Sequence, residues 1–110
     1  MTEQGCIFCE IVNGRKPATV LFQDERVMIF EDLLPRAPVH LLVIPTKHIR
    51  SLNDLTTEDQ ETVAAMIFAC QAIAGRLGFA RAGYRLFFNV ESGGGQDVFH
   101  LHLHLKSVFL

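Results

Sequence analysis

The stretch His100-Leu101-His102-Leu103-His104-Leu105 constrains this chain more than any other, because a strict period of two suits a β-strand rather than a helix. Successive side chains of a strand leave opposite faces, so Leu101, Leu103 and Leu105 are expected in a core and the histidines along the other face. Apolar burial gives no reason to gather three of the chain's five histidines in one row. A half-exposed edge strand with polar residues outward would show the same alternation. One metal ion shared by all three would not explain it. At about 3.3 Å per residue, His100 and His104 stand roughly 13 Å apart, too far for an ion held ~2.1 Å from each nitrogen. Two of the histidines can share an ion, so the row is expected to divide its roles. Just upstream, Ser92-Gly93-Gly94-Gly95-Gln96 is a glycine run through which backbone can approach a ligand. A nucleophilic row beside an anion-friendly loop points to chemistry on a phosphate.

With 110 residues the chain is expected to form one domain, 1–110, large enough for a core and small enough to gain from oligomerisation. Hydrophobic residues make up 49% of it and Gly and Pro are not in excess, which argues against disorder. A formal net charge of −2 lacks the basic stripe of a nucleic-acid coat. No apolar run is long enough to span a bilayer. The opening Met1-Thr2-Glu3-Gln4-Gly5 lacks the basic and apolar regions of an export leader, so a reducing cytoplasm is the expected setting. There, three cysteines are expected free or metal-bound rather than paired in disulfides.

Cys6-Ile7-Phe8-Cys9 opens the structured part, and Glu10-Ile11-Val12-Asn13-Gly14 reads as a short helix stopped by Asn-Gly. A Cys-x-x-Cys can be a redox pair, half a zinc site or chance; the redox reading wants a preceding strand, which is missing here. Thr19–Gln23 and Arg26–Glu31 read as a hairpin turned at Asp24-Glu25. Asp32 follows at the strand end, where an Asp serves as a turn residue or as an acceptor for a sugar hydroxyl. Pro38–Pro45 reads as a central strand bracketed by prolines, with His40 a hydrogen-bonded core histidine and His48 just beyond, placed to act as a ligand. Thr57-Glu58-Asp59-Gln60 fits a capping box. Val63, Met66, Ile67, Cys70, Ile73, Ala74 and Leu77 then recur at steps of three and four, the mark of one buried helix face stopped by Gly78. Cys70 on that face is read as core. Gly83–Val90 is a further strand, antiparallel to the histidine strand, which brings Asn89 beside the row. The sum is an α+β domain with a largely antiparallel five-stranded sheet, one long helix and one short one.

These residues resemble the histidine triad superfamily. His100–Leu105 matches its His-φ-His-φ-His-φ-φ signature, save that Lys106 stands where the last hydrophobic belongs. Cys6–Cys9, Phe30-Glu31-Asp32, the His40–Pro45 strand, Asn89 and Gly94-Gly95-Gln96 extend the likeness over nearly the whole chain, closest to the Hint or protein kinase C inhibitor-like branch in its bacterial form. The resemblance implies hydrolysis or nucleotidyl transfer at the α-phosphate of purine nucleoside phosphoramidates, without a catalytic metal. His102 would attack phosphorus and form a nucleotidyl-histidine. An imidazole with an ordinary pKa of about 6.5 keeps one nitrogen nucleophilic at neutral pH while the other donates its proton, to a backbone carbonyl by preference. His104 would hydrogen-bond the phosphate oxygens, as would Gln96 and the backbone of the Gly95 loop, with Asn89 orienting the site. Asp32 would accept from the ribose hydroxyls, and Ile7, Phe8, Phe30 and Leu33 would wall the base.

The same resemblance implies a zinc site from Cys6, Cys9, His48 and His100, a Cys₂His₂ set that closes a tetrahedron and so makes the ion structural. It implies a homodimer as well. Two departures bear on the leaving group. Asp97 stands where many relatives have Ser or Thr, and its charge would repel an anionic leaving group. The sequence ends at Leu110, so the tail that shapes leaving-group preference in some relatives is expected to be absent. The alternatives are a dinucleoside polyphosphate hydrolase, which the Cys-x-x-Cys opening disfavours, and a nucleotide-binding module with incidental turnover.

Overall fold

The computed structural model describes residues 5–108. The readings at residues 1–4 (no export leader) and at Leu110 (no tail) lie outside the described residues. Five strands, β1 (Val20–Gln23), β2 (Val27–Glu31), β3 (Val39–Pro45), β4 (Arg85–Phe88) and β5 (Leu103–Ser107), form one antiparallel sheet in the order β1-β2-β3-β5-β4. Helix α1 (Ile7–Val12) and helix α2 (Gln60–Leu77) cover its two faces. The architecture is the α+β one expected. Among the described residues no helix is long and apolar enough to cross a membrane.

Alternation decides what each face receives. Val27, Ile29, Leu41, Val43, Leu103 and Leu105 meet Met66, Cys70, Ile73 and Ala74 of α2. The residues between them, Met28, Phe30, Leu42 and Ile44, meet Phe8, Cys9 and Ile11 of α1. Each fully buried aliphatic side chain of this kind contributes on the order of 1.5–3 kcal/mol relative to exposure. The β1–β2 hairpin turns where expected, with the Asp24 carboxylate accepting from the N–H groups of Arg26 and Val27.

Four details differ from the sequence reading. The α1 helix starts at Ile7 rather than Glu10, because the Cys6 sulfur caps it by accepting from Cys9 N–H at 3.2 Å. The capping box lies one residue early: Asp59, in a 3-10 turn at Thr57–Asp59, reaches back to Thr56 N–H at 3.0 Å, and Lys47 clamps its other oxygen at 2.8 Å. On α2 the buried stripe is narrower than expected, leaving Ile67 44% and Leu77 43% exposed, because only Met66, Cys70, Ile73 and Ala74 meet the sheet squarely. The ladder of β5 begins at Leu103, since Leu101 N–H leaves the sheet to bond Ile49 O at 2.6 Å. The alternation nonetheless persists through His100–His102, and β5 is an interior strand rather than the half-exposed edge that the same pattern allows. Gly78, at φ 87°, ends α2 in the left-handed conformation that glycine adopts without strain.

Candidate active site

The ring of His102 is buried against the edge of Phe8, with centroids 5.1 Å apart and planes at 90°. Its Nδ1 lies 2.8 Å from the His100 carbonyl oxygen. A carbonyl can only accept, so Nδ1 carries the proton and donates it, and the lone pair is left on Nε2. That nitrogen lies 3.7 Å from the exposed carboxylate of Asp97. The tautomer is the one nucleophilic attack requires.

His104 is set by a longer chain of reasoning that begins in the main chain. Arg36 N–H donates to His40 Nδ1 at 3.1 Å, so the proton of neutral His40 is on Nε2. His40 Nε2 lies 3.0 Å from His104 Nδ1 and 3.3 Å from an Asp32 carboxylate oxygen, and both must accept. His104 Nδ1 is then a bare acceptor, and its proton stands on Nε2. That Nε2 is buried and has no partner in the protein, so the site holds an N–H donor awaiting an acceptor. Burial, reinforced by the charges of His102 and His40, pushes the His104 pKa down to about 4, so the ring is neutral at pH 7. Burial also lowers His40, against the pull of Asp32. Phe87 stacks on His104 at 4.8 Å and 6° between planes and fixes the ring. The sequence reading placed His40 in the core and did not single out Phe87; neither partnership, across strands, has a local signal.

Asp32 accepts from Leu34 N–H at 2.9 Å through one oxygen and faces His40 through the other, which makes it both turn residue and site residue. Of the expected walls, Phe8 and Phe30 are buried and in edge contact at 5.4 Å, Ile7 is half-buried, and Leu33 is 61% exposed on the turn after Asp32. Asn89 follows β4 and lies against Gly94 and Gly95 of the loop. The loop itself is braced by Gln96, whose amide oxygen accepts from Glu91 N–H at 2.8 Å and whose nitrogen donates to Arg50 O and Val98 O. Glu91 adopts φ 61°, a conformation side-chain-bearing residues rarely take. It is held there by Arg50 at 2.6 Å and Ser51 at 2.6 Å, and these partners lower its pKa. Arg50, Ser51 and Glu91 escaped the sequence reading. Their pairing spans 40 residues and has no motif. A cleft of about 450 Å³ is lined by Ile7, His48, Arg50, Asp97 and Phe99 among others, and Asp97 is the residue it shares with the surroundings of His102 Nε2.

His100 turns its ring the other way. Its Nε2 donates to Pro45 O at 2.8 Å, which leaves a lone pair on Nδ1, 3.3 Å from Cys6 Sγ and 3.5 Å from Cys9 Sγ. His48 Nδ1 lies 3.3 Å from Cys9 Sγ. All four ligand atoms fall within 4.8 Å of one another. In a tetrahedron with metal–sulfur bonds of ~2.3 Å and metal–nitrogen bonds of ~2.05 Å, a sulfur–nitrogen edge is about 3.6 Å. The donor set thus fits a metal ion, and His100 already has the backbone partner that orients metal-bound imidazoles. Burial raises the Cys6 thiol to about 11.

Comparison with known proteins agrees with this geometry. The family described as scavenger mRNA decapping enzyme C-terminal binding matches residues 5–109. The chain is 39% identical over 99 residues to the purine nucleoside phosphoramidase of Escherichia coli (strain K12), covering 90% of this chain and 83% of that one. It is 39% identical over 100 residues to protein HitA of Neisseria gonorrhoeae, covering 91% and 92%. Among solved structures it resembles a HIT family hydrolase from Legionella pneumophila Philadelphia 1 at TM-score 0.92 and 46% identity, covering 96% and 95%. A histidine triad protein from Clostridium difficile follows at TM-score 0.93 and 42% identity, covering 96% and 92%. With its family matched along almost its whole length and its three histidines each held by a different hydrogen-bond partner, the chain belongs to the histidine triad superfamily and is a hydrolase of that kind.

Proposed function

We propose that this chain hydrolyses purine nucleoside phosphoramidates through a nucleotidyl-histidine on His102. The observation that carries the reading is the His102 tautomer, with Nδ1–H held by the His100 carbonyl and the Nε2 lone pair beside the exposed Asp97 carboxylate. Nε2 attacks the α-phosphorus in line. The N–P bond to the enzyme forms, the P–N bond to the leaving group breaks, and the departing amine takes its electron pair and a proton from a water molecule, leaving hydroxide. That hydroxide attacks phosphorus, the bond to Nε2 breaks, and its electron pair returns to the ring; the net products are the nucleoside monophosphate and the amine. The unpartnered Nε2–H of His104 meets the developing charge on the phosphate oxygens, where a preorganised donor is worth several kcal/mol, about 3 in measured cases. Asp32 receives the ribose hydroxyls, Asn89, Gly95 and the Gln96 loop receive the phosphate, and Ile7, Phe8, Phe30 and Leu33 receive the purine.

The ion of the Cys6, Cys9, His48 and His100 set is zinc in this reading, structural because its four protein ligands leave no open position. The protein works as a homodimer in a reducing cytoplasm. Exposed Ile67 and Phe68 on the outer face of α2 support a second copy there, and light scattering reads the mass.

The test is turnover of adenosine 5′-phosphoramidate and of a lysyl-adenylate phosphoramidate, with diadenosine polyphosphates alongside. The phosphoramidates are expected to be the faster substrates, and His102→Ala to lower kcat by about 10³-fold or more. Turnover that survives His102→Ala overturns the mechanism. Faster cleavage of the diadenosine compounds replaces the substrate class, and tight nucleotide binding with negligible turnover replaces the enzyme by a binding module.

A further inference from the structure

The sheet face that carries His104 continues, one step toward Ser107, into a cationic row. Arg85, Lys106 and His40 stand in register across β4, β5 and β3. Arg36 approaches from the turn between β2 and β3, its backbone already bonded to His40. Arg36, Arg85 and Lys106 line a groove of about 440 Å³ together with Gly83 and Tyr84. Phe87 links the groove to the catalytic histidines: the Arg85 guanidinium and Lys106 ammonium lie 5.2 and 5.4 Å from the centroid of the ring that stacks on His104.

Among the described residues none of these three cations has an ion-pair partner, whereas Arg15, Arg26, Lys47 and Arg50 each have a carboxylate. Lys16, Arg76 and Arg81 also lack one among the described residues, so what sets Arg36, Arg85 and Lys106 apart is that they share a single groove. Like charges gathered in one groove repel one another, and an anion between them relieves the repulsion. Arginine forks held on an aromatic face suit a phosphate in particular. Two residues along β5 separate His104 from Lys106, about 6.6 Å at a rise of ~3.3 Å per residue, which is of the order of the reach from one phosphorylated ribose oxygen to another.

We propose that this groove is a second phosphate subsite, and that the chain takes nucleotides phosphorylated on a ribose 2′ or 3′ oxygen in addition to the 5′ phosphate at His102. The proposal rests on the nucleotide reading above, with the ribose at Asp32. A phosphate on one ribose oxygen leaves the other hydroxyl to donate to Asp32 and turns its own charge toward Arg36 and Lys106. Asp32 sits 3.3 Å from His40, the register neighbour of Lys106, so both demands fall within one ribose.

Calorimetric titration of the full chain at low salt with adenosine 5′-monophosphate, adenosine 3′,5′-bisphosphate and adenosine 2′,5′-bisphosphate tests this. One of the bisphosphates is expected to bind about tenfold tighter than the monophosphate or better, with the advantage shrinking as salt screens the groove. Which bisphosphate gains identifies the oxygen. In the Arg36→Gln/Lys106→Gln double variant the advantage is expected to vanish while monophosphate affinity holds within about twofold. Equal affinity for monophosphate and both bisphosphates overturns the subsite, as does an advantage that survives the double variant. If the monophosphate itself does not bind, the nucleotide reading fails and this proposal with it, a result distinct from the other two.

Discussion

Two clusters of close-set ligating side chains flank His102, and they look alike until the protons are placed. Cys6, Cys9, His48 and His100 form one; Asp32, His40 and His104 form the other; in each, the candidate ligand atoms lie within 4.8 Å of one another. In the first, the Pro45 carbonyl takes the His100 proton on the far side of the ring, and the near nitrogen turns a lone pair toward two sulfurs. In the second, a backbone N–H occupies the far nitrogen of His40, so a proton rather than a lone pair stands between the rings, and the sequence of donors ends on the outward nitrogen of His104. One cluster converges electron pairs and suits a cation; the other passes a proton's direction outward and suits an anion. The identity of the backbone group behind each imidazole, donor or acceptor, makes the difference.

The sharpest way to break this contrast is metal content. Cys9→Ser is expected to lower zinc from about one per chain to a small fraction and to destabilise the zinc-loaded protein by several kcal/mol, about 3 or more, while His40→Phe leaves zinc untouched. Elemental analysis that finds zinc lost from both variants, or from neither, would erase the distinction. Next in size is the response to acid. The His104 pKa of about 4 in the fold, against an ordinary 6.5, means that the unfolded chain takes the proton first as pH falls. Stability is therefore full above pH 6.5 and declines between about 6.5 and 4, by about 3 kcal/mol from this group. Denaturant titrations at pH 7 and pH 4 should show a smaller decline in His104→Gln; an equal decline removes His104 as the cause. A smaller effect, about 10–100-fold in kcat with KM held within a few-fold, is expected for His40→Phe, because His104 would lose its orientation but not its ring. A change confined to KM would mean that His40 serves binding alone. The smallest concerns Asp97. Since its carboxylate is 68% exposed, Asp97→Asn is expected to narrow the preference for amine over phosphate leaving groups by only about threefold, read from paired kcat/KM values.

Where physics acts between near neighbours, the chain was readable in advance. Proline at both ends of the central strand, the three-and-four spacing of Met66, Cys70, Ile73 and Ala74, and Gly78 as a helix stop each depend on residues a turn apart. The leucines of the histidine row went to the α2 core as their period requires. What escaped depends on partners far along the chain. His40 meets His104 across 64 residues, and only the folded sheet reveals that a core histidine sets the tautomer of one in the triad. Gln96 was read as a phosphate contact, whereas in the fold its amide is occupied by three backbone groups. Ile67 and Leu77 kept the period of α2 yet stayed exposed, since periodicity fixes a direction and the width of the buried stripe depends on the curvature of the sheet below. The four candidate metal ligands were named through resemblance, and geometry added the tautomer of His100, which spacing alone does not contain.

The first donor in the relay to His104 is a peptide N–H, that of Arg36, and no side chain encodes it. Every coded residue except proline brings the same group to that place. Mutation at this codon can therefore exchange charge, size and polarity on the rim of the groove while the proton two rings away keeps its address. Heritable variation in what the rim attracts is uncoupled from the setting of the His104 ring, and a single change, Arg36→Pro, would tie the two together by removing both.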